Sequence, residues 1–401
     1  MFLHLTAQID GAAMKQIIYQ AIIFSVLCAF GCQQPPKGLA ENEIQRTQNI
    51  SNDNGGSVQF RVETVADNLE VPWAFAFLPD GRMLFTERPG RVRIIENGKL
   101  RAAPVFKVPD VEPSGESGLM DISLHPNFAQ NGFVYLAYAY NGDGKRVRVA
   151  RYKFDGNTFT EPKTIIENIL AAQFHAGTRC RFGPDGKLYI TTGDATQGAL
   201  AQNLNSLNGK ILRLNDDGSI PPDNPFVNQQ NARPEIWTYG NRNPQGIAWQ
   251  PETNTMFETE HGPSGFDGPG GGDEVNIIEK GKNYGWNVIH HKQTHEGMVS
   301  PLLEYTPACA PASAMFYNGN AFPQFKGNFF FGCLRGERVI RVSLNGGNVA
   351  GQEDLLKGTY GRIREMEEGP GGAIYFSTSN RDGRGSPAST DDRILRLVPV
   401  K

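Results

Sequence analysis

An all-β fold is predicted for this chain, a six-bladed β-propeller with four-stranded antiparallel blades, and three observations predict it. Glycine and proline are abundant, with Gly 46 and Pro 26 in 401 residues, while charged residues make up only 20%. That mixture suits many short strands joined by turns better than it suits helical bundles. A phrase recurs six times along the chain: an aromatic or apolar residue, proline, a turn, then an alternating strand. Its prolines, Pro79, Pro126, Pro184, Pro251, Pro323 and Pro370, are separated by 47, 58, 67, 72 and 47 residues, and that spacing fits one blade per copy. Long helical periodicity is absent, which counts against parallel α/β architectures.

Before the repeats comes a leader. From Met14 the chain reads MKQIIYQAIIFSVLCAFGC, a short cationic start, an apolar run and then Gly31-Cys32. This pattern predicts a signal peptide over residues 1–32 and places the protein in the bacterial periplasm or cell envelope. Gly-Cys at the end of the run resembles a lipoprotein cleavage site, so Cys32 is a candidate for a lipid tether to the membrane; plain cleavage nearby is the alternative. The apolar run is short for a membrane-spanning anchor. Residues 33–56 are polar and read as a flexible linker. The propeller is assigned to residues 57–401.

The clearest repeats are FLPDGRMLFTER from Phe77, FGPDGKLYITTGD from Phe182 and WQPETNTMFETEHG from Trp249; looser ones start at Leu124, Phe322 and Glu368. Each puts proline with glycine or asparagine at a turn, ahead of β-branched and aromatic residues at period two. A closed ring removes exposed sheet edges, and the terminal strand RILRLVPV is expected to complete a blade beside QFRVETVA. Beyond the leader, Cys180, Cys309 and Cys333 remain. Cys309 and Cys333 flank one candidate hairpin and could pair, leaving Cys180 as a buried small hydrophobe. The net charge of −3 comes without a basic block, so nothing favours a nucleic-acid partner. No CxxC, HExxH, P-loop or GxSxG is present, which disfavours zinc, nucleotide and serine-hydrolase chemistry.

Polar residues without a core role follow the strands, in loops that a propeller gathers around its central channel. His175 precedes a strand that ends near Asp194, and a histidine oriented by a carboxylate can act as general base; packing is the alternative. Arg242, Arg335, Arg362 and Arg364 come from three loops. Converging, their guanidiniums would match a polyanion, since each fork engages a carboxylate bidentately; separate, they would be ordinary ion pairs. The segment EHGPSGFDGPGGGDEVN is too rich in glycine to hold itself rigid. Its carbonyls and acids suit calcium, a hard ion that takes oxygen ligands at variable geometry, although a mobile surface loop would look similar.

Taken in order, HAGTRCRFGPDGKLYITTGD, LNGKILRLNDDGSIPPDNPF, YGNRNPQGIAWQP, EHGP…DEVNIIEKGKNYGWN, LRGERVIRV and GRIRE resemble the soluble PQQ-dependent glucose and aldose sugar dehydrogenase family (PQQ, pyrroloquinoline quinone). The resemblance covers about Phe60 to Leu397. It implies oxidation of an aldose at C1, with His175 taking the hydroxyl proton, Asp194 orienting it, and hydride passing to PQQ. It further implies that Arg242 and Asn243 meet the reactive edge of the cofactor, that Arg335, Arg362 and Arg364 hold it, and that the main-chain carbonyls of Gly262 and Pro263 bind Ca2+. An external acceptor would then take the electrons. Two positions depart from the family pattern at sugar contacts: Phe174 stands where an aspartate is usual, and Glu116 where a glutamine is usual. Several long insertions of the dimeric glucose enzymes are also missing, so a monomeric aldose sugar dehydrogenase with an open cleft is expected. Two rivals share the fold: a calcium-dependent lactonase, which would not need four arginines, and a non-catalytic binding propeller.

Overall fold

In the computed structural model of the protein, residues 48–51 and 57–400 are described. The leader over 1–32, Cys32 and all of the linker except Gln48–Ser51 lie outside the described residues. Those four residues form a strand, β1, paired antiparallel with β2 (Ser57–Ala66), so part of the segment read as linker extends a sheet.

Six antiparallel sheets follow one another. The first is β3 (Pro72–Phe77), β4 (Met83–Glu87), β5 (Arg91–Glu96) and β6 (Lys99–Leu100), with β7 (Phe106–Lys107) also paired to β5. The second is β8 (Leu119–Leu124), β9 (Phe133–Gly142), β10 (Gly144–Phe154) and β11 (Phe159–Leu170). Blade three comprises β12 (Cys180–Phe182), β13 (Leu188–Thr192), β14 (Lys210–Leu214) and β15 (Ile236–Tyr239). Blade four comprises β16 (Pro244–Trp249), β17 (Met256–Glu260), β18 (Asp273–Ile278) and β19 (Leu303–Tyr305). Blade five comprises β20 (Pro311–Phe316), β21 (Phe329–Cys333), β22 (Arg338–Asn345) and β23 (Asn348–Leu355). The sixth joins both ends of the chain: β24 (Ile363–Glu368), β25 (Ile374–Thr378), β26 (Ile394–Pro399), then β2 and β1.

The repeated phrase is the turn between the first and second strands of each blade. In the first copy the Leu78 amide donates to the Arg82 carbonyl at 2.8 Å and the Gly81 amide to Leu78 at 2.9 Å. Gly81 has φ +86°, a conformation open to glycine at no steric cost. The third copy repeats this at Gly183, Gly186 and Lys187. Ring closure is as the terminal strands predict: β2 lies antiparallel to β26, with Phe60 opposite Pro399 and Val62 opposite Leu397. Phe60, Leu395 and Leu397 are fully buried there, each contributing on the order of 2 kcal/mol by burial. Apolar clusters fill the seams between blades; Tyr189 and Ile211 of blade three, for example, pack with Ile247, Met256 and Ile278 of blade four. Cys180, Cys309 and Cys333 are buried free thiols, so the pairing raised for Cys309 and Cys333 is not formed.

Candidate active site

In a four-stranded up-and-down blade, the entry to the innermost strand and the connection between the second and third strands emerge at the same face. That geometry collects the chemistry. A cavity of about 720 Å³ opens there. Glu116, Phe174, His175, Arg242, Arg362 and Arg364 reach it from or beside innermost-strand entries, and Arg88, Gly262, Pro263, Arg335, Asp382 and Arg384 from the second connections. In five innermost strands the pairing slips near this end, between Pro72 and Ala74, Leu119 and Ile122, Pro244 and Gly246, Pro311 and Ala314, and Ile363 and Met366. Such irregularities re-aim side chains.

His175 is buried at the cavity wall. Its Nδ1 lies 2.7 Å from Asp194 Oδ1. Asp194 is fixed in turn: Oδ1 accepts the Thr196 amide at 2.7 Å and Oδ2 the Trp286 indole N–H at 2.8 Å. A carboxylate on Nδ1 assigns the proton to that nitrogen and leaves the Nε2 lone pair available. The backbone at His175 has φ +55°, a strained conformation for a non-glycine residue. Glu116 helps hold it, accepting the His175 amide and the Asn243 side-chain amide, both at 3.1 Å. Burial pushes the Glu116 carboxyl up, but His261, His175 and the Asn243 amide more than offset this, and it ends below the usual carboxylate range. Asn243 is itself fully buried, its Oδ1 accepting from Gly177 and Gln245 at 3.1 Å; it braces the wall from behind.

Six arginines line the cavity (Arg88, Arg242, Arg335, Arg362, Arg364 and Arg384) against three carboxylates, Glu116, Asp273 and Asp382. Arg362 binds Asp382 through Nε at 2.9 Å and Nη2 at 2.8 Å, and Arg364 reaches the same oxygen at 3.5 Å. One carboxylate therefore serves two guanidiniums. Burial drops Arg364 to about 10, the neighbouring Arg362 and Arg88 adding to it against Asp382; it is still a cation at neutral pH. Arg88 Nε is buried without a hydrogen-bond partner. Arg335 is exposed at the rim. A surplus of positive charge with an unfilled donor fits a polyanionic ligand.

Arg242 differs from the others because the loop after β17 occupies it. Nε and Nη2 meet Asp267 at 2.8 and 2.7 Å, Nη2 also meets Ser264 Oγ at 3.0 Å, and a further N–H donates to the His261 carbonyl at 3.1 Å. Gly262 and Pro263 sit on the same loop at the cavity wall. The Gly262 amide donates to the buried Asp273 carboxylate at 2.8 Å, which also accepts the Ala310 amide at 2.6 Å. The backbone is crowded: a Cβ on Gly262 would lie 2.2 Å from the Gly272 carbonyl oxygen and 2.3 Å from that of Gly271. Packed carbonyls are oxygen donors that suit a hard cation.

Beneath the cavity lies an ionic hub. Arg179, almost fully buried, pairs with Asp121 at 2.9 Å and Glu365 at 2.5 Å and donates to the Gln245 carbonyl at 3.1 Å. Arg181 binds Asp121 at 2.6 Å, and Ser313 binds Glu365 at 2.5 Å. These residues belong to blades two to six. Residues close in the chain thus divide: His175, Glu116 and Arg364 face the cavity, while their neighbours Arg179, Asp121 and Glu365 tie the ring together. Sequence reasoning missed Arg88, Asp382, Arg384, Phe266 and Asp267. The first three follow the second strands of blades one and six, the register that delivers Asp194 and Arg335, so the repeat itself could have found them.

The fold and this site define an oxidoreductase built on a six-bladed propeller, and comparison with known proteins agrees. Residues 69–395 match the model of the glucose/sorbosone dehydrogenase family. Aldose sugar dehydrogenase YliI of Escherichia coli K12 is 38% identical over 342 residues, covering 80% of this chain and 91% of that protein. Two solved structures are similar: the apo form of the soluble aldose sugar dehydrogenase from E. coli (36% identity, 85% of this chain, all of that one, TM-score 0.77) and the PQQ-bound form of the aldose sugar dehydrogenase from Streptomyces coelicolor (34%, 85%, 98%, TM-score 0.75). The chain belongs to the glucose/sorbosone dehydrogenase family.

Proposed function

We propose that the protein oxidises aldose sugars at C1 to the lactone with PQQ and calcium, passing electrons to an external acceptor. The observation that carries this reading is the His175–Asp194 pair set beside a cavity with six arginines and three carboxylates. Arg362, Arg364, Arg335 and Arg88 suit the three carboxylates of PQQ, and the Gly262 and Pro263 carbonyls suit calcium. Bound there, PQQ would supply the hydride acceptor and calcium the Lewis acid that polarises it.

The chain's own residues do the rest. His175 takes the C1 hydroxyl proton at Nε2, which drives electron density toward hydride departure. Asp194 keeps Nδ1 protonated and stabilises the imidazolium that forms, and Trp286 and the Thr196 amide keep Asp194 from turning away. Arg242 places a cation where negative charge develops on the acceptor. Glu116 steadies the strained His175 backbone and offers an acceptor at the sugar end of the cavity. The leader and Cys32 support export and a lipid tether, and the short loops support a monomer. The test is spectroscopic: the protein is titrated with PQQ and Ca2+, then glucose is added. Saturable PQQ binding followed by sugar-dependent bleaching to the reduced quinone is expected. Binding without bleaching across a panel of aldoses would overturn the dehydrogenase reading.

A further inference from the structure

The glycine-rich loop after β17 carries two side chains that the reading above does not use. Phe266 is the most exposed large apolar residue among those described, at 64%. Its ring lies nearly parallel to the His175 imidazole, with centroids 6.0 Å apart and 26° between planes. Nothing in the packing of the blades requires a phenyl group there. Gly265, with φ +92°, and Gly270 have open space where a Cβ would stand, whereas a Cβ on Gly271 would lie 2.5 Å from Thr306 and one on Gly272 2.6 Å from His291, so the base of the loop is packed but its tip stands clear. It is held by polar contacts instead: the Ser264 amide donates to Asp267 Oδ1 at 2.9 Å, the Gly265 amide to the Gly268 carbonyl at 3.0 Å, and Asp267 grips Arg242. Asp267 and Ser264, both bound to Arg242, therefore tie an exposed aromatic ring to the site beside His175.

Phe174, the residue before His175, also lines the cavity, but the Arg384 guanidinium covers one face of its ring at 4.5 Å. Phe266 offers the more accessible aromatic face. We propose that Phe266 is a specificity-determining residue, the aromatic wall of a pyranose subsite, packing on the apolar C–H face of the sugar whose C1 hydroxyl meets His175. The proposal rests on the sugar-oxidising reading and extends it to a residue outside the proton-transfer and cofactor sets. Sugar rings are amphipathic, polar at the edge and apolar at the face, and an aromatic plane gains from covering that face. Contact of this kind forms in the ground state and persists through hydride transfer, so it acts on KM rather than on kcat. Asp267 is a positioning residue that keeps the ring in place through Arg242.

The experiment uses the full mature chain with PQQ and calcium added. For Phe266→Ala, KM for glucose should rise about tenfold while kcat stays within about twofold. Phe266→Tyr should return KM to the wild-type range, a rescue that general loop damage would not give. A second readout needs no turnover: Phe266→Trp is titrated with glucose and its tryptophan emission followed against wild type, with a saturable change expected. Unchanged KM in Phe266→Ala overturns the subsite wherever the wild type turns over. Where it does not, the emission titration decides: a saturable response keeps the subsite while the dehydrogenase reading falls, and a silent titration removes both.

Discussion

At the scale of single residues the site separates groups that react from groups that hold. His175→Ala removes the proposed general base but leaves the arginine cluster, which it does not touch. Turnover should fall by about 10² or more with PQQ affinity near normal, read by steady-state kinetics on protein whose unfolding midpoint is unchanged; undiminished turnover would take His175 out of the mechanism. Arg364→Ala should do the reverse, weakening PQQ binding measured by titration because a buried fork aimed at a carboxylate is lost. The sequence exposed these residues because catalysis and anion binding need particular residue types in loops, where no packing requirement explains them. It did not expose Phe266 or Asp267. Their loop reads as flexible from its glycines, and the ion pair from Asp267 to Arg242, 25 positions away, is a contact that no local pattern announces. Asn243, expected to meet the cofactor, donates to Glu116 and accepts from Gly177 and Gln245, contacts just as hidden from local pattern.

Elements position these residues by close approach of backbones. A Cβ on Gly193, just after β13, would fall 2.0 Å from the His175 carbonyl oxygen. Gly193→Ala must therefore push the His175 segment or its own loop aside. A loss of activity comparable to His175→Ala is expected, with unfolding less affected than turnover; full activity would show that the catalytic loop tolerates displacement. Turn chemistry in the repeats announced all six blades, since proline and glycine at fixed offsets have local causes. Strand lengths and bulges were not legible, because they are settled by neighbouring blades.

For the whole molecule, the ring is held at its rim by the β2–β26 pairing and at its axis by the Arg179 hub. Arg179→Met leaves Arg181 as the one guanidinium shared by Asp121 and Glu365 and should cost about 3 kcal/mol, seen as a lowered unfolding midpoint; an unchanged midpoint would mean that the hub is dispensable. The hub was invisible to pattern reading, since each of its charges looks like a loop residue until the blades converge. Acid dependence follows from two opposed sets of carboxyls. Burial raises Asp121 and Asp382, but their arginines hold both below the ordinary aspartate value of 3.8, so their stabilisation is present above that pH and lost as pH falls through their lowered values. Burial raises Asp392 to about 6; its contribution is fully present below 3.8 and is lost as pH rises through 6. Stability should therefore be greatest at about pH 4 and decline from there toward about pH 6. A midpoint that climbs steadily from pH 5 to 8 would contradict this balance.

We propose that this propeller is a PQQ- and calcium-dependent sugar dehydrogenase in which the protein supplies a base and a cation cradle. The most direct measurement is dye-linked aldose oxidation by the purified mature chain, with PQQ and Ca2+ supplied together and then each withheld. Turnover that requires both is the predicted result. Turnover independent of PQQ, or none with a folded protein saturated in both, would contradict it.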